Sequence, residues 1–415
     1  MSETRDRSGR RAAAKASASP ASVARHGRLP RSRAWKMILG LIGAGLAVIL
    51  VAGSSVGLIA AAGLKNNITT TKIDADTKGP PPNIDAFDGG FNILLVGSDT
   101  RAGQGGIGGK DSSVLNDVTM LMHVAEDQKS ATVVSIPRDM VVPLPKCDNG
   151  GPAAGQPINV TLYYGGLNCT VKTVQNLTGL DIQFAGLITF QGVIAMSNAV
   201  GGVPVCVTEP IRDPYTGLDI GAGTVELSGF NALAFLRSRH GVGDGSDLGR
   251  IGSQQVFLSA LIRKIKSDDT LTDFAKLYSI AQAATQNITL SENFANLDTL
   301  ASIALVLKKI PLENIVFVRY PSTTGQGGIY QGKVAPMGGI ATKLFDAIKA
   351  DKPIGLDSNA LSGANGGSTV DPNAPAPTTA PTADPSADPD AAAVVIPGLK
   401  GQSASTQTCS VANKH

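Results

Sequence analysis

The stretch Met37–Leu64 contains no charged residue, and it is longer than the roughly 20 residues a helix needs to cross a bilayer. No other feature constrains the chain as much, because a bilayer-spanning helix there would put the two flanking segments in different compartments. Residues 2–36 are Ser/Ala-rich and carry ten basic residues against only Glu3 and Asp6. A segment of that composition cannot bury a core and is expected to be disordered. Its charge puts the N-terminus on the cytoplasmic side by the positive-inside rule, with Trp35 at interfacial depth. Ala60, Ala61 and Ala62 offer small residues for signal cleavage. However, the apolar core is too long and the basic lead too extended for a typical signal peptide. The expectation is an uncleaved single-pass anchor in the cell membrane, with everything after it outside. The basic N-terminus lacks the aromatic interleaving of a nucleic-acid surface, and the topology already accounts for its charge, so no nucleic-acid partner is expected.

Residues 65–87 read as a linker stiffened by Pro80, Pro81 and Pro82. Apart from Val370 and Asn373, residues 366–392 are built from Pro, Ala, Thr, Ser, Gly and Asp. They set the expectation of a disordered tail over 354–415. That leaves 88–353, enough for one large domain or two small ones. Within it, Phe91–Gly97, Val118–Ala125, Ala131–Ile136, Val203–Val207 and Ile315–Tyr320 are short apolar, partly β-branched runs that read as strands. Val171–Leu177, Phe190–Val200, Gly229–Leu236, Leu248–Lys266, Phe274–Ala284, Leu297–Ile310 and Ile340–Ala350 carry helical spacing. Helices interleave with strands, so a sheet covered by helices on both faces is the natural α/β architecture. Val316–Tyr320 and Gln331–Val334 are expected as edge strands, in a region that completes the fold.

The four cysteines are Cys147, Cys169, Cys206 and Cys409, and an extracellular location permits disulfides. Cys147 and Cys169 flank a Gly/Pro-rich loop and are the favoured pair. Cys206 sits in an apolar strand as a buried thiol, unless Cys409 reaches it from beyond the tail. Their spacing fits no zinc site, and His123 and His240 are isolated.

The chemistry gathers in four places. Arg237, Arg239, Arg250 and Gln254 lie in ALAFLRSRHGVGDGSDLGRIGSQQ, where Asp244 and Asp247 are the only local carboxylates. The planar arginine fork suits phosphate oxygens and keeps its charge, so such a cluster waits for an external anion. In FNILLVGSDTR a strand delivers Asp99 and Arg101 to its carboxyl edge, where ligands bind in open α/β sheets. In NDVTMLMHV, Asp117 stands just before the second strand and can meet Asp99 if the glycine-rich loop 102–116 folds over. Two carboxylates near a phosphate suit Mg²⁺. In SIPRDM, Pro137 stops the third strand and sets Arg138 and Asp139 at its end. Any one of these could be a turn or cap. Together they form a cationic pocket with a metal site.

The segments LLVGSDTR, DVTMLMHV, SIPRD, INVTLYYGG, SNAVGGVPVCV and LAFLRSRH…DLGRIGSQQ, in that order over about 91–270, resemble the LytR–CpsA–Psr family. The resemblance implies a central mixed β-sheet sandwiched between α-helices, preceded by one transmembrane helix. It implies a Mg²⁺-dependent phosphotransferase that moves a glycopolymer from a polyprenyl diphosphate carrier to peptidoglycan, with an apolar tunnel for the prenyl chain between sheet and helices. By motif, Asp99 and Asp117 hold Mg²⁺. Arg138, Arg237, Arg239 and Arg250 bind the diphosphate with Gln254 beside them, and Arg101, Asp139 and Asn159 are further substrate contacts. A carboxylate takes the acceptor hydroxyl's proton, Asp99 first and Asp139 second, unless Asp139 orients Arg138. The chain departs from the family at Pro157 and Ser253, where a basic residue is common, so two charges are expected to be missing at the rim. A pyrophosphatase with water as acceptor, and a non-enzymatic envelope lipid- or glycan-binding module, are the competing classes. A serine hydrolase is excluded by the lack of a G-x-S-x-G elbow with partners in order.

Overall fold

Alternating apolar residues build the centre of the molecule. Phe91 and Ile93 point to one face of a strand, Leu94 and Val96 to the other, as the two-residue period of a strand demands. The computed structural model describes residues 62–74, 89–99, 114–151, 155–267, 273–361, 367–374 and 393–414, all within the unit Ala60–His415. The expected span Met37–Leu64, apart from its last three residues, lies outside them, as do the basic segment before it, most of the linker and Arg101. Among the described residues no helix is long and apolar enough to cross a membrane.

The main sheet has eight strands: β1 (Thr69–Thr71), β2 (Phe91–Ser98), β3 (Asn116–Val124), β4 (Ala131–Ile136), β5 (Phe184–Ile188), β10 (Ile288–Ser291), β11 (Ile315–Arg319) and β13 (Gly401–Ser403). Their order is β1-β10-β5-β2-β3-β4-β11-β13. The sheet is mixed: β2 pairs antiparallel with β3 and parallel with β5, and β4 pairs antiparallel with β3 and parallel with β11. A smaller sheet joins β6 (Val203–Val207), β9 (Gly223–Leu227), β12 (Ser368–Val370) and β14 (Thr408–Ser410) in the order β9-β6-β14-β12; between β6 and β9 lies the hairpin β7 (Ile211–Asp213) and β8 (Leu218–Ile220).

Helices cover both faces, as the alternation of elements leads one to expect. On one face, Leu94, Leu121 and Val134 pack against Val171 and Val174 of α1 (Thr161–Thr178) and Leu344 and Ile348 of α7 (Gly338–Lys349). On the other, Ile93, Val133 and Phe317 meet Ile303 and Val306 of α6 (Leu297–Lys309) and Leu258 of α4 (Asp247–Lys266). The small sheet packs Val205 and Val207 on Phe235 of α3 (Gly229–Arg237) and Val256 of α4. α2 (Phe190–Ala199) and α5 (Phe274–Asn287) complete the set. Starts follow side-chain caps: Thr189, Ser246 and Asp273 each accept a main-chain N–H of the first turn. α1 breaks at Gly165–Gly166. A Cβ on Gly165 would stand 2.9 Å from that of Cys169, and the Cys147–Cys169 disulfide occupies that space.

Three expectations about strands and tail fail. Ile315–Arg319 is an inner strand, not an edge, and Gln331–Val334 forms no strand. The first follows from the third: 354–415 is not disordered throughout, and its residues 393–414 supply β13, which covers Ile315–Arg319, and β14. Gly401 makes this possible, because a Cβ there would lie 2.1 Å from the Phe317 carbonyl oxygen. Cys206 is no free thiol; it is bonded to Cys409 across 203 residues.

At the pole where β2 begins, His123 Nδ1 lies 3.0 Å from Asn92 Oδ1 and Nε2 lies 3.4 Å from Asp351 Oδ1. Burial holds this imidazole below its ordinary range, and Asp351 opposes the shift only in part. A histidine depressed in the folded state contributes stability above its unfolded value and loses it as pH falls. Acidification from roughly pH 7 to pH 5 should therefore lower the urea midpoint, and His123→Gln should flatten that limb.

Candidate functional site

The mixed topology gathers the chemistry at one edge. β2, β4, β5 and β11 run in one direction and end there, while antiparallel β3 begins there. Gly97 pairs with Val118 and Ser98 with Asn116, so Asp117 is the extra residue of a β-bulge. Bulges turn a side chain out of the regular alternation, and this one sets Asp117 among arginines.

Arg138 Nη1 donates to Asp117 Oδ1. Asp139 Oδ2 stands 3.8 Å from both Arg138 Nε and Arg239 Nη2, between the two guanidinium groups. Arg250 is 3% exposed. Its Nη2 donates to the Asp117 carbonyl oxygen at 2.9 Å and to Asp247 Oδ1. Burial works against the charge on Arg138, yet Asp117, Asp139 and Asp247 together hold it more firmly protonated than usual. The arginines are thus not left without acids, as the sequence pattern alone led one to expect; the fold brings three carboxylates to them. Pairing is incomplete all the same. The Nε atoms of Arg138, Arg239 and Arg250, and Asp247 Oδ2, are buried without a hydrogen-bond partner. Buried polar atoms are seldom left so, and three donors of this kind suit the oxygens of an anion.

This cluster closes one end of an apolar cavity of about 210 Å³. Leu95, Val118 and Met120 of the sheet form one wall, Phe190, Val193 and Met196 of α2 another, and Leu233, Leu236, Phe257 and Leu261 the rest. Asp117, Arg237, Arg250 and Gln254 line its polar end; Asp117, Arg250 and Gln254 also line a smaller polar cavity with Arg138 and Asp247. The Arg237 guanidinium lies 4.4 Å over the Phe190 ring, a cation–π contact at the junction of apolar wall and polar end.

Other expected residues are placed differently. Gln254 Nε2 donates to the Leu236 carbonyl at 2.9 Å, fixing the turn of α3 that presents Arg237. Asn159 donates its main-chain N–H to the Arg138 carbonyl, and its buried Oδ1 has no partner, but it lines neither cavity. Asp99 Oδ1 accepts from Leu115 N at 2.8 Å, and Asp99 lines neither cavity. Ser253 is not at the rim: it is fully buried, its Oγ 2.8 Å from Ser410 Oγ and 3.2 Å from the Gly367 carbonyl. The C-terminal strand fills the space an arginine would need.

Two residues of the site were not expected. Asp247, a local acid in the sequence, is the buried partner of Arg250; its place three residues before that arginine in a helix was the available signal. Arg319 ends β11, buried, with its guanidinium pushed below its usual value by burial and supported by Asp244 and Asp247. A lone arginine closing an apolar strand was the hint.

The polar cavity also suits a cation. Its lining offers carboxylate, hydroxyl and amide oxygens from Asp117, Asp247, Thr119, Ser135 and Gln254, with no histidine or cysteine. This is a donor set for a hard cation, and the unpartnered Asp247 Oδ2 fits it. Among the described residues, the one cluster of three His, Cys, Asp or Glu ligand atoms is Cys206, Asp371 and Cys409, whose sulfurs are already joined.

The LytR_cpsA_psr family model matches residues 60–343. The chain is 29% identical over 273 residues to the cell wall biosynthesis protein LcpA of Corynebacterium glutamicum, covering 58% of this chain and 52% of that protein. It is 30% identical over 245 residues to the polyisoprenyl-teichoic acid–peptidoglycan teichoic acid transferase TagT of Bacillus subtilis, covering 56% and 70%. The chain thus spans about half the length of the first of these relatives. In fold it is similar to a LytR-Csp2A-Psr enzyme from Actinomyces oris, with a TM-score of 0.52 and 23% identity over 68% of this chain and 96% of that one.

Proposed function

The chain belongs to the LytR_cpsA_psr family, and from that premise we propose that it transfers a glycopolymer from a polyprenyl diphosphate carrier to peptidoglycan through a phosphodiester link. One observation carries the reading: an apolar cavity ends on a cluster of arginines with unpartnered donors. A long apolar tail joined to a diphosphate has that same division. The prenyl chain lies along Leu95, Phe190 and Phe257, and the diphosphate meets Arg138, Arg237, Arg239 and Arg250. Phosphoryl transfer asks mainly for positioning and charge stabilisation. An acceptor hydroxyl attacks the phosphorus nearer the glycan, and the bond to the bridging oxygen breaks. Polyprenyl phosphate leaves with the negative charge facing the guanidinium groups, and the hydroxyl's proton passes to Asp99. Asp139 spaces Arg138 from Arg239. Asp117, which lines the polar cavity, is the proposed holder of Mg²⁺ together with Asp99 at the end of the neighbouring strand β2; when bound, the ion would supply charge neutralisation at the phosphate oxygens. The same reading has Met37–Leu64 anchor the protein in the cell membrane with this domain outside, and two disulfides suit an oxidising compartment.

The test incubates the full chain with a sugar-bearing polyprenyl diphosphate and peptidoglycan fragments, with Mg²⁺ or with chelator. The expected result is sugar joined to peptidoglycan and at least about a hundredfold less product under chelation. Release of sugar phosphate without joining would move the assignment to a pyrophosphatase. Binding without cleavage would make it a binding module.

A further inference from the structure

We propose that Tyr215 and His240 form a pyranose-binding subsite beside the diphosphate-binding arginines; the proposal rests on the glycopolymer-transfer reading and extends it. Tyr215 occupies the turn between β7 and β8 and is 77% exposed. Its ring leans on that of exposed His240, with centroids 4.5 Å apart and planes tilted by 43°. Two adjoining rings open to water offer a ligand an apolar face with polar edges. The pair is not a loose surface feature. Asp213, fully buried, accepts the Tyr215 N–H at 3.0 Å with Oδ1. With Oδ2 it accepts from Ser238 Oγ at 2.7 Å, Arg239 N at 3.2 Å and Gly241 N at 3.3 Å. One carboxylate thus fastens the tyrosine turn to the loop that carries both His240 and Arg239. Asn413 holds that loop from its other side, donating to the His240 carbonyl at 3.0 Å.

The chemistry of the neighbour selects the ligand. Arg239 is one residue from His240, and its Nη2 approaches Asp139 in the arginine–carboxylate cluster. The loop residue Arg239 is thus shared by the cluster and the ring pair, so a group attached to a phosphate held by the cluster can reach the rings. In the proposed reaction that is a sugar. A pyranose ring packs its C–H face on an aromatic surface while its hydroxyls stay hydrated, which matches a ring pair open to water. The ring comes either from the sugar on the diphosphate or from the acceptor glycan strand, and the two sources can be separated.

The full chain in detergent is titrated calorimetrically with bare polyprenyl diphosphate, with polyprenyl diphosphate bearing one N-acetylglucosamine, and with a free peptidoglycan tetrasaccharide. Tyr215→Ala is expected to weaken at least one sugar-bearing probe about tenfold, and Tyr215→Trp to restore it. An effect on the lipid-linked sugar assigns the subsite to the donor; one on the tetrasaccharide assigns it to the acceptor. Unaltered affinity for both sugars overturns the proposal. So does an equal loss on the bare lipid, which would mean that the substitution acts through the arginine loop. If the wild type fails to bind the bare lipid, the transfer reading falls, and the tetrasaccharide arm alone decides the subsite.

Discussion

Arg250→Ala is expected to abolish transfer and destabilise the protein together, whereas Arg138→Ala should remove transfer at much smaller cost to the fold. The difference is burial. Arg250 and Asp247 are 3% and 4% exposed. Arg250 donates to Asp247 Oδ1, and Asp247 Oδ2 already has no partner. Removing the guanidinium takes the hydrogen-bonded partner from a buried carboxylate and leaves it only the charges of Arg138 and Arg319, which costs up to about 3–5 kcal/mol. It also strips the Asp117 carbonyl of its donor at the start of β3. Arg138 is less enclosed, with 23% side-chain exposure, and its partners Asp117 and Asp139 retain some access to water. Loss of an arginine that stabilises a transferring phosphoryl group is worth about 10³-fold in rate, and both variants should show that drop. Urea denaturation beside the transfer assay separates them. A double variant sharpens the test, because a buried ion pair replaced by apolar groups of similar size often regains its stability. Arg250→Met with Asp247→Leu should therefore melt near the wild type and remain inactive. Arg250→Ala denaturing like the wild type would show that the carboxylate finds water or a proton, and that the pair serves the chemistry alone.

How legible this site was in the sequence depends on what fixes each part. Strands such as Ala131–Ile136 and Val203–Val207 coincide with their apolar runs, because local pattern and burial agree there. Arg138, Arg239 and Arg250 stand out in the sequence because their residue type and their motif order are local properties. Their pairing is not local. Asp117 meets Arg138 only through a bulge between strands, and Asp247 reads as a first-turn helix acid until the helix is seen to be buried. Asp139 lies between two guanidinium groups because the loop after α3 returns to the end of β4, a contact no spacing rule reports. The short strands β5, β10, β13 and β14 also escape a reading of the sequence. Phe184–Ile188 and Ile288–Ser291 sit against helices whose periodicity dominates their windows. Gly401–Ser403 and Thr408–Ser410 are polar and gain strand structure only from partners far away in the chain.

That distant pairing leads to the second large effect: removing residues 393–415, none of which lines either cavity, should abolish the proposed transfer. The segment holds the site from behind. β13 covers the inner strand β11, and Gln402 Nε2 donates to Ser259 Oγ of α4 at 2.8 Å. Arg263 of the same helix donates to the carbonyls of Ala404 and Thr406. Ser410 meets Ser253, one residue before Gln254. Gly243 N donates to the Val411 carbonyl and Asn413 N to the Gly241 carbonyl, so the loop bearing Arg239 is fastened as well. Cys206–Cys409 closes this arrangement across 203 residues. By the chain-entropy account a loop of that length is worth about 5 kcal/mol at most. Cys206→Ser with Cys409→Ser keeps every other residue of the segment and removes only the bond, so it isolates the clamp from the strands. The double variant is expected to lose up to about 5 kcal/mol in chemical denaturation and to become inactive at temperatures where the wild type still turns over. Truncation before residue 393 should go further, because it also exposes the Phe317 edge of β11 and breaks the α4 contacts. If the double serine variant retains both its denaturation midpoint and its activity, the strands alone hold α4 and the arginine loop, and the disulfide is dispensable. If the truncated chain also keeps its activity, the arginines are positioned by the main sheet without help from the terminus.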